Sequence, residues 1–292
     1  MGRILTQFKK ALVLALDHDL FGVAKAAAYS GMLFSFPAVL VLTTLLVRVP
    51  QGTTLVGELR GSLDQLLPEG SLDLLQSALE SQHYYSAKVL LSATSLSVFA
   101  GLGLMLSLME GFRRAYQLER GEWSYRQRLM RAFLLVPIVL VPLWLASLML
   151  VFGQQIEHWM IRNSGHELRH IVVISWRLVR WAIAVATSVS VVSALYHFGT
   201  RRREHWKWVI PGALGATAVW FPATLLFGWY VTRVADYSMF YGSFAAGIAT
   251  LVWLYITSLS ALLGAELNGV LFRARHERLP ADSEPPSIAS QT

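Results

Sequence analysis

The sequence predicts an all-α protein, a polytopic membrane helix bundle with six transmembrane helices and both termini on the cytoplasmic side. Three observations lead there. The 292 residues are 54% hydrophobic and only 15% charged, where a soluble chain carries about 25% charged residues. The apolar residues come in blocks of about 20, the number a helix needs to cross a bilayer core. Lys and Arg crowd alternate connecting segments, as cytoplasmic loops do. A membrane β-barrel would need short alternating segments, which are absent.

Residues 1–25 form the first element. Ile4, Leu5, Phe8, Leu12, Ala15, Leu16 and Leu20 recur at helical spacing, with Lys9, Lys10 and Asp17 off that stripe. This is an amphipathic cytoplasmic or interfacial helix, lying on the membrane surface or packed on the other loops. The membrane domain follows over 26–271, with spans at 26–47, 89–109, 132–152, 171–197, 208–230 and 242–265. The first apolar run exceeds the 7–15 residues of a signal-peptide core, so no cleavage is expected.

Orientation follows from the basic residues. With the N-terminus inside, the inner segments hold Arg3, Lys9, Lys10 and Lys25, then Arg113, Arg114, Arg120, Arg126, Arg128 and Arg131. They also hold Arg201, Arg202, Arg203 and Lys207, then Arg273, Arg275 and Arg278, most of the 25 basic residues. The same bias accounts for the net charge of +7 without nucleic acid as a partner.

The outer loop 48–88 reads as a helical cap. Leu55, Leu59, Leu63 and Leu66 mark one apolar face, "PEGS" at 68–71 interrupts, and Leu72, Leu75 and Leu79 mark a second. Residues 272–292 form a cytoplasmic tail, disordered from about 280 on composition.

Three groups of residues carry candidate chemistry. Arg177 and Arg180 share a face of the fourth span. Charges at that depth face protein, water or headgroups, and a guanidinium fork suits a phosphate or carboxylate. They are the candidate substrate-binding pair, for an anionic lipid or solute, with snorkelling or pairing with Glu157, Glu167 or Asp236 as the alternatives. Glu266, Asn268 and Glu110 lie at the inner ends of the sixth and second spans, as an ion-pair lock or a proton site. "HELRH" at 166–170 matches H-E-x-x-H, so His166, Glu167 and His170 have zinc-hydrolase spacing. A third ligand has only Glu157, His158 or Asp236 to draw on, and an interfacial polar turn fits the context better. The expectation is therefore no metal, no cofactor and no enzyme.

Helix packing is written in small residues. Ala27, Gly31 and Ser35 are four apart, as are Gly212 and Ala216, and Ser243 and Gly247. Such rows let helix backbones approach closely, within the chain or in a homodimer. Pro37 sits in the first span, where proline can bend a membrane helix. There is no cysteine, hence no disulfide or thiolate site, and no P-loop or nucleophile elbow.

The segments "AAAYSGMLFSFPAVLVL" (26–42) and "YGSFAAGIATLVWLYITSLSALLGAELNGVL" (241–271) resemble the YihY/BrkB family of bacterial inner-membrane proteins. Ala28, Tyr29, Phe36 and Pro37 match its pattern, as do Tyr241, Gly242, Trp253, Tyr255, Gly264, Ala265 and Glu266. Ser30 departs from it, since the family commonly has a second Tyr there. The resemblance covers most of the chain and implies a multi-pass protein of the bacterial inner membrane. The family once carried the label ribonuclease BN. This sequence shows no cytoplasmic cluster of carboxylates and histidines suited to phosphodiester cleavage. The reading is a transporter or binder of an anionic amphiphile or lipid-like envelope component. A zinc-dependent hydrolase using HELRH and a non-catalytic scaffold are the alternatives.

Overall fold

In lipid, every backbone N–H and C=O must be satisfied within the protein, which leaves helices as the way to build long apolar runs. A computed structural model describes residues 2–47, 87–119, 124–142, 169–200, 206–233 and 244–276. Its helices are α1 (Gly2–Asp17), α2 (Leu20–Val47), α3 (Ala87–Ala115), α4 (125–142), α5 (Arg169–Gly199), α6 (Trp206–Arg233) and α7 (Ala245–His276). Among the described residues there is no strand. Within the described residues, five stretches are long and apolar enough to cross a membrane: Leu20–Val41, Ala87–Ala115, Leu178–Gly199, Trp206–Arg233 and Ala245–Arg275. The described part of α4 ends at Pro142, so the expected third span lies partly outside the described residues. Residues 48–86 of the outer cap, His166, Glu167 and Leu168 of HELRH, and the tail from 277 lie outside them too, while 272–276 continue α7.

The predicted 1–25 helix is two pieces. Asp19 adopts φ 52° and ends α1, with the Asp19 N–H bonded to the Leu16 carbonyl at 3.0 Å. The chain turns at His18–Asp19 and α2 starts at Leu20, six residues before the expected span. At 16 residues, α1 is about 24 Å long and too short to cross.

Direction alternates along the chain. Gly101 faces Phe34 and Gly103 faces Ser30, so α2 and α3 run antiparallel. Ser188 meets Thr217 and Trp181 meets Phe221, so α5 and α6 are antiparallel. Gly212 meets Gly264 while Trp220 bonds Thr257, so α6 and α7 are antiparallel as well. The ends of α3, α5 and α7 and the starts of α2, α4 and α6 therefore gather at one end of the bundle, where α1 also lies.

The core sits near that end, around α7. Nine consecutive residues, Leu262 to Val270, are buried, so the helix is enclosed on all sides. Packed around it are Leu20, Val23, Met109, Phe112, Leu195, Tyr196 and Ala213. Farther along, the helices turn apolar side chains outward, among them Leu91 and Phe99 on α3 and Leu225, Leu226 and Trp229 on α6. Hydroxyls within these helices donate one turn back, as Thr94 does to Leu90, Ser190 to Ala186 and Thr250 to Ala246. Each such bond satisfies a polar atom inside an apolar helix. The helix α2 continues through Pro37.

Candidate functional site at the α1 end of the bundle

The sequence "GAELNG" marks a close approach of two helices. Gly212 of α6 and Gly264 of α7 press backbone on backbone. A Cβ on either would strike the other's carbonyl oxygen. This closeness brings Asn268 against the first turns of α6. Its Oδ1 accepts from the Gly212 N–H at 2.7 Å and its Nδ2 donates to the Val209 carbonyl at 2.9 Å. Both bonds are buried, so one amide satisfies a donor and an acceptor across the helix pair. Beside it, the Tyr196 hydroxyl donates to the Ala261 carbonyl at 2.5 Å, and the Tyr196 ring meets Phe112 edge-on at 5.2 Å. Thus α3, α5, α6 and α7 are joined at one level.

Glu266 lies two residues before Asn268 and is 0% exposed. An unpartnered buried carboxylate is costly, and this one has two partners. His18 Nδ1 stands 2.8 Å from Oε2, and the Arg273 guanidinium donates to Oε1 at 3.2 Å. The second ring nitrogen of His18 lies 3.1 Å from Gln117 Nε2. With the amide as donor, Nε2 accepts and Nδ1 carries the hydrogen that it donates to Glu266.

Two left-handed residues build this arrangement. Gln117 (φ 54°) ends α3, with Leu118 N–H on the Arg113 carbonyl and Gln117 N–H on the Arg114 carbonyl. This double closure is a Schellman cap. Asp19 does the matching service at the end of α1. Histidine and amide are then face to face although 99 residues apart.

Glu110 belongs to a second, more exposed network. It accepts from Arg113 at 2.6 and 3.0 Å and from Arg114 at 3.2 Å, with Arg128 of α4 at 3.7 Å. Arg114 also reaches Asp19 at 3.1 Å and the His18 carbonyl at 3.4 Å, which links the two networks. Nearby, Arg275 stacks over the Trp208 ring at 3.6 Å.

The structure therefore brings Glu266 and Asn268 together and sets Glu110 apart from them. The sequence reading missed His18, Arg273 and Gln117. Arg273 was recoverable, since seven residues from Glu266 is two turns along the same face. His18 and Gln117 leave no such trace. Of the packing residues, Ala27 and Gly31 are buried against α3 and α7, with Leu254 and Leu104 the nearest side chains to Gly31. Ser35 turns its hydroxyl to its own helix, at Met32. Gly247 faces Met32, and Ser243 lies outside the described residues.

Arg180 is half-buried on α5, among the exposed side chains of Leu178, Val179 and Trp181. Arg177 is one turn earlier on the same helix, and its side chain lies outside the described residues, as does that of His170. His166, Glu167, Glu157, His158 and Asp236 are outside them entirely. Among the described residues, no three His, Asp or Glu side chains gather as metal ligands.

Comparison with known proteins adds a family. The family described as "Virulence factor BrkB" matches residues 12–289. A protein of Bacillus subtilis named "Putative ribonuclease-like protein YfkH" is 27% identical over 90% of this chain and 94% of its own length. A UPF0761 membrane protein of Aromatoleum aromaticum is 26% identical over 85% of this chain, and one of Nitrosospira multiformis 23% over 89%. The chain spans 59% of the length of each of these two UPF0761 proteins. No solved structure matches.

Proposed function

The chain belongs to the Virulence factor BrkB family of membrane proteins, and on that premise we propose that it binds or moves an anionic amphiphile or lipid-like envelope component. Its place is the bacterial cytoplasmic membrane, multi-pass, with the α1 end on the cytoplasmic side. The basic residues of that end, including Lys25, Arg113, Arg114, Arg126, Arg128, Lys207 and Arg275, support the orientation. The observation that carries the reading is Arg180. It is a guanidinium within the apolar span Leu178–Gly199, with lipid-exposed neighbours and a position near the span's far boundary. A guanidinium at that depth faces protein, water or headgroups, and its planar fork suits a headgroup phosphate or carboxylate. Arg177, three residues earlier in the sequence, is the second basic residue proposed for the site. Glu266 and Asn268 hold the α1 end closed, with Glu266 as the group whose protonation would weaken the closure. The proposed role is non-catalytic.

The test is native mass spectrometry and proteoliposome binding with phosphatidylglycerol, comparing the natural protein with the Arg177→Ala, Arg180→Ala double variant. The expected result is loss of retained anionic lipid at an unchanged unfolding midpoint. A folded double variant that retains as much lipid as the natural protein refutes the site.

A further inference from the structure

The helix α1 has three sides, and among the described residues one of them packs on α7. Ala11 and Ala15 form the packed row, 2% and 0% exposed, with Leu267, Val270 and Leu271 of α7 opposite Ala11. Phe8, Leu12 and Leu16, at four-residue spacing, form a second row on one flank, with Leu12 42% and Leu16 62% exposed. Thr6, Lys10 and Asp17 form a third, exposed row on the opposite flank, and Val13 sits beside it. An apolar flank turned away from the core is unfavourable in water.

The depth of α1 says what covers that flank. It packs on Leu267 and Val270, and its last turn places His18 on Glu266. All three α7 residues fall within the apolar span Ala245–Arg275. So α1 lies beside the last turns of a membrane-crossing segment, at the edge of the bilayer rather than below it. A helix with a lysine-bearing polar side and an apolar side, held at that level, has the build of an interfacial helix. Lys9 and Lys10 are both exposed, and near a surface each attracts anionic lipid.

We propose that α1 is an interfacial membrane helix that recognises the anionic headgroup surface. Its Phe8–Leu12–Leu16 row enters the acyl boundary, Lys9 beside that row contacts lipid phosphates, and the Ala11–Ala15 row stays docked on α7. This assignment concerns the α1 end and stands apart from the Arg180 site, so either can fail alone.

The chain contains no cysteine, so single labels can be placed without other changes. Leu12→Cys, Leu16→Cys, Lys10→Cys and Asp17→Cys, each at an exposed position, are labelled with an environment-sensitive fluorophore. The full-length protein is placed in nanodiscs of phosphatidylcholine, with or without phosphatidylglycerol. Labels at 12 and 16 should emit to the blue and be quenched by lipid-borne nitroxide. Iodide should quench them several-fold less than labels at 10 and 17. Phosphatidylglycerol should deepen the burial at 12, and Lys9→Glu should abolish that gain. Equal iodide access at all four positions overturns the proposal. So does protection at 12 and 16 that persists in detergent and scales with protein concentration, which would mean a second copy covers the flank. Identical readings in the two lipid mixtures overturn the anionic preference.

Discussion

Replacing Gly264 with alanine should be among the most damaging one-carbon changes in this protein. A Cβ at that position would stand 2.5 Å from the Tyr196 hydroxyl and 2.6 Å from the Ala216 Cβ, and against the Gly212 carbonyl. Three obstacles from two helices leave it no direction of escape. Ordinary contact lies at about 3.5–4.0 Å, so α6 and α7 must part by roughly 1 Å. Overpacking of this kind costs about 1–3 kcal/mol. The parting also stretches the two Asn268 bonds, now 2.7 and 2.9 Å, and interhelical bonds in membrane proteins contribute about 0.6–1.7 kcal/mol each. The expected loss is therefore about 2–5 kcal/mol. At roughly 2 °C per kcal/mol for a chain of this length, the unfolding midpoint should fall by several degrees. Gly228 is the control, because a Cβ there meets nothing within 4 Å. Gly228→Ala should be neutral or gain up to about 1 kcal/mol of helix propensity. Ten tryptophans allow the midpoints to be read by intrinsic fluorescence at one fixed scan rate. If Gly264→Ala melts with Gly228→Ala, the backbone contact between α6 and α7 is not as described.

Asn268→Ala should lose about 1–3 kcal/mol by the same measurement, since it strips partners from the buried Gly212 N–H and Val209 carbonyl. Glu110→Ala should cost only about 0–1 kcal/mol despite its three arginine contacts. Its side chain is 26% exposed, and added salt should shrink the effect further. Glu266→Ala should act locally: without its carboxylate, His18 and Arg273 release α1, and trypsin should cut at Lys9 and Lys10 faster than in the natural protein while the global midpoint moves less. Unchanged cleavage there would mean that Ala11 and Ala15 alone hold α1 in place.

The bundle was legible because hydropathy is a property of single segments, and a run of apolar residues needs no partner to declare itself. The ends were legible only where polarity coincides with exposure. Lys25 was taken as the last residue before a span, yet α2 begins at Leu20 and Lys25 lies exposed on its side. Glu266 and Asn268 were taken as closing the last span at 265, yet α7 continues to His276 and both are buried within it. In each case the sequence alone makes a polar residue the boundary of a span. For Glu266 and Asn268, partners elsewhere in the chain do what water would have done. His18 is 248 residues from Glu266, and Gly212 is 56 from Asn268. No window along the chain contains such a pair, and the spacing of small residues showed that Gly212 would meet a helix without showing which one. The most recognisable local motif, HELRH, needs only five consecutive residues. The buried carboxylate needs a turn at Asp19, a cap at Gln117 and an arginine two turns on, from three helices. That dependence is a reason to place the chemistry of the α1 end at Glu266. An isolated motif can arise by chance, whereas a charge enclosed on all sides persists only where the whole bundle is built to hold it.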